Sequence, residues 1–500
     1  MDYSKLQNGS DIRGVAMEGV AGQNVNLTEQ ACRDIGRGFA LWLRERLGKD
    51  ALRVAVGRDS RLTGPALVGW ISEALAAEGV AVTDMGLAST PAMFMTTVTE
   101  GFLFDASVMV TASHLPFNRN GYKFFTRDGG LEKQDIKAIL TMAASDAHTG
   151  LPAAPVTKGS FMEEYAGILR GKIQRATGLE RPLEGLRIVV DAGNGAGGFY
   201  AARVLEPLGA DTTGSRYLDP DGTFPNHIPN PEDKTAMAAI TEAVLENKAD
   251  LGIIFDTDVD RAGAVLSDGS ALNRNRIIAM LAAILLREHP GTAIVTDSIT
   301  STGLAAFIAA RGGVHHRFKR GYKNVINESI RLNAAGQDSQ LAIETSGHGA
   351  LKENYFLDDG AYLVTRLLIE LARGRKEGYS LQSLIAELRE PAESSEFRMN
   401  LLLPDFKPYG GEIIEALKAF APEQPGWSLA PSNYEGVRVN LDADHGNGWF
   451  LLRLSLHDPL MPLNIESDSP GGVKTIAREL APFLASFDKL DTAALTAFCQ

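Results

Sequence analysis

Short runs of β-branched and aliphatic residues recur along this chain, each followed by a longer amphipathic stretch. That alternation restricts the fold to α/β layers. Arg53–Gly57 (RVAVG), Val80–Asp84 and Ser107–Thr111 (SVMVT) read as strands, with a helix over Pro65–Glu78. The cycle restarts at Arg187–Asp191 (RIVVD), with a helix near Phe199–Leu208 and a strand at Leu251–Phe255 (LGIIF). It restarts again at Ala293–Thr296, followed by a helix at Thr302–Arg311. Beyond these, Ser395–Leu402, Gly436–Leu441 and Trp449–Leu456 are strand-like and Gly472–Phe487 is helical. The reading is three successive α/β units and a smaller α+β domain at the C-terminal end. The 500 residues are too many for one core, so several domains are expected. The candidate linkers are 148–158, 267–275 and 389–394, which divide the chain into 1–155, 156–272, 273–391 and 392–500.

A hydrophobic fraction of 44% and a charged fraction of 22% are those of a soluble globular protein. The net charge of -13 argues against a nucleic-acid partner, which needs a basic footprint. It leaves room for an anionic small molecule, because a local Arg/Lys cluster can invert the field inside a cleft. Only Cys32 and Cys499 are present, so no disulfide framework is expected and a reducing cytoplasm fits. The polar N-terminus shows no signal-peptide pattern. The longest aliphatic run, Ile277–Leu286, is too short to span a bilayer and reads as a buried helix, so no membrane association is expected.

Four loops carry polar residues and glycine or proline after strands, where α/β proteins place ligand sites. In Thr111-Ala-Ser-His-Leu-Pro-Phe-Asn-Arg-Asn-Gly-Tyr-Lys123, a strand delivers Ser113 to a loop bounded by Pro116 and Gly121. Its hydroxyl needs an activating base or metal to act as a nucleophile. Lys123 approaches the same site from the next strand, Tyr122–Thr126; a Ser/Asn-rich turn is the alternative reading. In Phe255-Asp-Thr-Asp-Val-Asp-Arg261, three carboxylates at alternate positions after an apolar strand call for a cation between them, unless the stretch is a solvated acidic turn. Oxygen ligands suit Mg²⁺ or Ca²⁺, and Arg261 beside the metal suits a phosphate oxygen. Arg261 at the sixth loop position and Ser267 at the twelfth exclude an EF-hand. Glu344 and Ser346, two residues apart, are able to hold adjacent hydroxyls of a sugar, and His348 to move a proton near neutral pH, although short polar stretches of this kind are ordinarily caps or turns. Arg453 and Ser455 are the equipment of a phosphate anchor, although an Arg on an edge strand is ordinarily just solvated.

Taken together and in this order, these loops resemble the α-D-phosphohexomutase superfamily, which includes phosphomannomutase/phosphoglucomutase. Thr111-Ala-Ser-His-Leu-Pro116 is similar to the family's phosphoserine loop, and Asp256 to Arg261 matches its Asp-x-Asp-x-Asp-Arg metal loop. Glu344 to His348 resembles its sugar loop, with Ile343 where Gly is usual. Gly9–Gly14, Val56–Asp59, Val190–Gly197 and Asp221–His227 are supporting segments. The departures are Leu115 in place of Asn, an approximate Gly321-Tyr-Lys-Asn324 loop, and Leu456, His457 and Asp458 in the last loop, where Gly-Thr-Glu is usual.

The resemblance implies four domains, three similar α/β units with mixed sheets followed by a smaller α+β domain. It also implies interconversion of hexose 1- and 6-phosphates of mannose or glucose through phosphorylated Ser113 and a hexose 1,6-bisphosphate. Ser113, Asp256, Asp258 and Asp260 would hold Mg²⁺, and glucose or mannose 1,6-bisphosphate would act as activator. Ser113, Lys123, Arg13 and His348 become the candidate catalytic residues. His114, Arg261, Lys323, Glu344, Ser346, Arg453, Ser455 and His457 become candidate substrate ligands. A monomer or weak homo-oligomer is expected. Alternatives are phosphoglucosamine mutase, a non-catalytic sugar-phosphate sensor on the same fold, and an aspartyl-phosphate phosphatase with Asp256 or Asp258 as nucleophile. A nicotinamide-dependent oxidoreductase is the remaining rival, because Gly193-Asn-Gly195-Ala-Gly-Gly198 satisfies G-x-G-x-x-G after a strand.

Overall fold

The structure, a computed structural model, describes residues 2–455 and 458–500. The chain divides into two compact units, Met1–Leu281 with Ser346–Leu384, and Ala282–Thr345 with Ile385–Gln500.

In the first unit, an eight-stranded mixed sheet carries the N-terminal residues. Leu52–Arg58 lies parallel to Val80–Leu87 and to Ala106–Val110. Arg119–Thr126 then runs antiparallel between Ala106–Val110 and Asp11–Val15. The helix Glu29–Leu47 begins where the Thr28 side chain accepts from the Ala31 N–H and ends at left-handed Gly48. It buries Ile35, Phe39 and Leu43 in one cluster with Val54, Val56, Tyr122 and Phe124. Residues 148–158, read as a linker, contribute Val156–Lys158 as an edge strand parallel to Val80–Leu87.

The same unit holds a second, four-stranded sheet. Ile188–Asp191 is parallel to Leu251–Phe255, which turns back antiparallel into Ala262–Leu266. The turn between the last two strands is the triple-Asp loop. The helix expected near Phe199–Leu208 is a short π-helical segment, Ala201–Leu205. Stretch 267–275, read as a linker, holds the end of a hairpin and the start of a helix: Ala271–Leu272 pairs back onto Ala262–Leu266, and a helix begins at Arg274. Residues Ile277 to Leu286 of that helix are buried throughout.

The second unit contains the parallel ladder Val314–Arg317, Ala293–Thr296 and Ser339–Ile343. A five-stranded sheet in order Glu393–Asn400, Leu460–Ser467, Gly448–Leu452, Val437–Leu441, Trp427–Leu429 follows, all antiparallel. The helices Phe406–Phe420 and Gly472–Ala485 pack on it through Ile413, Leu417, Ile476 and Leu480. The strand expected to run to Leu456 ends at Leu452. Among the described residues no helix is long and apolar enough to cross a membrane.

Candidate active site

Strand alternation puts the chemistry on one face of the first sheet. Tyr122 and Phe124 point into the core, so Lys123 between them faces the other way. Ser113 stands just beyond Ala106–Val110 with φ +52, a conformation that serine adopts only where its surroundings hold it. Its N–H donates to Thr111 Oγ1 at 2.9 Å. Its hydroxyl donates to Asp256 Oδ2 at 3.2 Å, and Arg261 Nη2 donates to it at 3.1 Å.

The hairpin 256–261 gathers the carboxylates. Asp256, Asp258 and Asp260 are all at most 1% exposed, and each offers an oxygen within 4.8 Å of the others. Lys123 Nζ donates to Asp258 Oδ2 at 3.0 Å and also to Asp260 Oδ2. Asp256 is pushed well up by burial and by the charges of Asp260 and Asp258. Burial raises Asp260 too, but Lys123, His348 and Arg261 outweigh it and hold Asp260 well below the ordinary carboxylate range. Asp258 Oδ1 and Asp260 Oδ1 are buried acceptors with no hydrogen-bond partner among the described residues. Hard oxygen donors left over at the centre of such a cluster fit Mg²⁺. The donors present therefore suit the cation that the loop pattern implies.

Arg261 organises the other side. Its Nε donates to Asp256 Oδ2 at 3.1 Å, its Nη1 to Asn230 Oδ1 at 3.1 Å, and its Nη2 to His114 Nδ1 at 2.7 Å. Accepting there places the His114 proton on Nε2, and burial with the Arg261 and Arg13 charges lowers its pKa to about 3. His114 is therefore neutral. His348 differs: burial works against its charge, but Asp358 and Asp260 raise it to about 9. Its Nδ1 lies 2.5 Å from Asp358 Oδ2 and 3.8 Å from Asp260 Oδ1. Arg13 pairs with Asp11 at 2.9 Å on the strand next to that of Lys123.

One part of the first unit thus brings together Ser113, His114, Lys123, the three Asp residues, Arg261 and His348. Sequence reasoning missed three supporting residues. Thr90 donates to Asp258 Oδ2 at 2.5 Å, Asp358 orients His348, and Arg61 grips the Ser113 loop. The Asp358-Asp359-Gly360 run before a helix was an available signal for the second; Thr90 and Arg61 gave none.

In the second unit, Glu344 accepts the Gly321 N–H at 2.6 Å, and Lys323 stands in the first turn of the helix Tyr322–Ala334. Arg453 Nη1 lies 3.7 Å from Glu435 Oε1, and the Ser455 N–H donates to Leu460 O at 3.0 Å. Ser346, in the first unit, is buried with its hydroxyl unpartnered among the described residues. His457, another expected substrate ligand, lies outside the described residues, as does Leu456.

The glycines of 193–198 have a packing explanation that needs no dinucleotide. A Cβ on Gly195 would stand 2.6 Å from Thr257 O, inside the triple-Asp loop. Gly195 therefore supports that loop, while Gly193 packs against Pro229, Gly197 against Phe255 and Gly198 against the backbone of Leu218.

Comparison with known proteins decides the family. Three profiles of Phosphoglucomutase/phosphomannomutase, for alpha/beta/alpha domains I, II and III, match residues 4–149, 171–269 and 273–391. The chain is 30% identical over 481 residues to a phosphoglucomutase of Neisseria meningitidis, covering 95% of this chain and 96% of the relative. The chain belongs to the phosphoglucomutase/phosphomannomutase family. A phosphomannomutase/phosphoglucomutase of Pseudomonas putida is 32% identical over 445 residues, covering 87% of this chain and 89% of that protein. A crystal structure of a family protein from Burkholderia thailandensis superposes with a TM-score of 0.78 at 28% identity, covering 96% of both chains. The three α/β family domains and the C-terminal sheet domain make this chain an enzyme of the phosphohexomutase type.

Proposed function

We propose that this enzyme interconverts the 1- and 6-phosphates of glucose and mannose, with Ser113 carrying the phosphoryl group. The observation that supports this most is the convergence on one serine hydroxyl of an acceptor carboxylate, Asp256, and a guanidinium, Arg261. Such a hydroxyl has a group to receive its proton and a fork to hold phosphoryl oxygens.

Ser113, Asp256, Asp258 and Asp260 would hold Mg²⁺, which when bound supplies charge neutralisation for phosphoryl transfer. The residues do the rest. Arg261 binds the phosphoryl oxygens on Ser113, and Lys123, fixed by Asp258 and Asp260, adds positive charge at the reacting centre. His348, oriented through Nδ1 by Asp358, moves the proton of the sugar hydroxyl, and Arg13 supports the incoming charge. Glu344 and Ser346 read sugar hydroxyls; Arg453, Ser455 and Lys323 anchor the phosphate that is not being transferred. A hexose 1,6-bisphosphate forms as intermediate and primes Ser113 as activator. A cytoplasmic monomer or weak homo-oligomer, acting on hexose phosphates and on neither nucleic acid nor membrane, completes the reading.

Purified protein with Mg²⁺ and a trace of glucose 1,6-bisphosphate should convert glucose and mannose 1-phosphates to 6-phosphates faster than the glucosamine and N-acetylglucosamine 1-phosphates. Faster conversion of an amino sugar would reassign the substrate. Absence of any 6-phosphate would contradict the mutase reading.

A further inference from the structure

The strained backbone of Ser113 needs something to hold it, and a buried arginine does so. Arg61 is 0% exposed, and its guanidinium is aimed at the main chain of the Ser113 loop. Nη1 donates to Pro116 O at 2.8 Å and to Arg119 O at 2.9 Å. Nη2 donates to Leu115 O at 2.6 Å and to the carbonyl of Ser113 itself. Four carbonyls from residues 113–119 thus converge on one planar fork, whose donors have fixed directions.

The fork is itself braced. Asp59 accepts the Arg61 N–H at 2.9 Å, and its carboxylate lies 3.4 Å from Nε. The Phe224 ring lies 5.3 Å from the guanidinium carbon. A Cβ on Gly222 would sit 2.5 Å from Ser60 O, so the 221–227 loop packs directly on the backbone of the Arg61 turn. None of these groups reaches the Ser113 hydroxyl. Arg61 acts through the loop that carries it.

We infer that Arg61 is a positioning residue for phosphoryl transfer: its four carbonyl bonds fix the Ser113 backbone so that Oγ faces Asp256 and Arg261. The inference rests on the phosphoserine reading above. A lysine at this position keeps the charge but makes at most three bonds, in no fixed plane, so loop geometry should suffer more than substrate binding does.

The test compares full-length wild type with Arg61→Lys and Arg61→Ala. It follows kcat, KM for glucose 1-phosphate, phosphorylation of Ser113 by glucose 1,6-bisphosphate, and amide hydrogen exchange across 112–120. The expected result is a fall in kcat of about 30-fold or more with KM within about 3-fold of wild type. Slowed Ser113 phosphorylation and faster exchange confined to 112–120 should accompany it. Millimolar guanidinium ion should restore part of kcat in Arg61→Ala and leave wild type unchanged. Wild-type kcat in a folded Arg61→Lys protein, exchange in 112–120 at the wild-type rate, or a change in KM alone would overturn the inference. Failure of both variants to fold would assign Arg61 to stability and overturn it equally. A wild-type protein that never phosphorylates Ser113 would count against the phosphoserine reading instead, and the exchange measurement would still judge the clamp.

Discussion

Thr90 holds Asp258 at two points: its hydroxyl donates to Oδ2 at 2.5 Å and its N–H to the Asp258 carbonyl at 2.8 Å. The first turn of the helix Thr90–Met95, in the N-terminal sheet domain, therefore fixes the middle carboxylate of a loop that belongs to the next sheet. Partners of this kind set the direction of a ligand oxygen.

Thr90→Val keeps the shape of the side chain and removes the donor. Apparent affinity for Mg²⁺ should weaken by about 10-fold or more, with maximal turnover at saturating Mg²⁺ falling less. Titrating activity with Mg²⁺ checks this; an unchanged midpoint would show that Asp258 needs no help from Thr90.

Gly195→Ala tests the packing beneath the same loop. The new methyl would meet backbone atoms of Thr257 at under 3 Å, and backbone cannot swing aside as a flexible side-chain end can. The expected cost is about 1–3 kcal/mol of stability, with loss of activity because Asp256 and Asp258 flank the displaced residue. Thermal melting and steady-state kinetics on one preparation measure both. A dinucleotide-binding role for the glycines would instead leave mutase turnover intact.

The C-terminal sheet offers a pH signature away from the metal cluster. Trp449 Nε1 donates to Glu466 Oε2 at 3.0 Å, and Arg438 stacks on the Trp449 ring at 3.6 Å. Burial pushes Glu466 up to about 7 from an ordinary 4.5, with Arg438, the Trp449 bond and Arg317 pulling the other way. A carboxyl whose folded pKa lies above its unfolded one contributes stability that is fully present below about 4.5 and is lost as pH rises through about 7. Melting of wild type should therefore fall from pH 5.5 to pH 8 more steeply than that of Glu466→Gln, by the equivalent of about 1–2 kcal/mol. Parallel curves would show that Glu466 titrates as it does in the unfolded chain.

The strands were legible because each is a compact β-branched run. Leu251–Phe255 and Ala293–Thr296 begin and end where the sequence reading places them. Failures came where the chain is locally ambiguous. Ala201–Leu205 carries a helical pattern that closes into a π turn, and Arg453 to Ser455 continue the alternation past the end of the strand at Leu452, although the N–H groups of Arg453 and Ser455 still reach Pro462 O and Leu460 O. Within the site, Asp256, Asp258 and Asp260 announced themselves because alternating carboxylates after an apolar strand have few other uses. Arg61 and Thr90 were illegible for the opposite reason. Each lies far along the chain from what it holds, Thr90 by 168 residues from Asp258. Only folding reveals such a pair.

The reaction proposed here requires Ser113 to be the phosphoryl carrier. Incubating the protein with glucose 1,6-bisphosphate and Mg²⁺, then measuring intact mass and mapping the modified peptide, tests that directly. One phosphoryl group per chain should appear, located on Ser113, lost on incubation with excess hexose monophosphate and absent from Ser113→Ala. A phosphoryl group on Asp256 or Asp258, or turnover by Ser113→Ala at the wild-type rate, would contradict it.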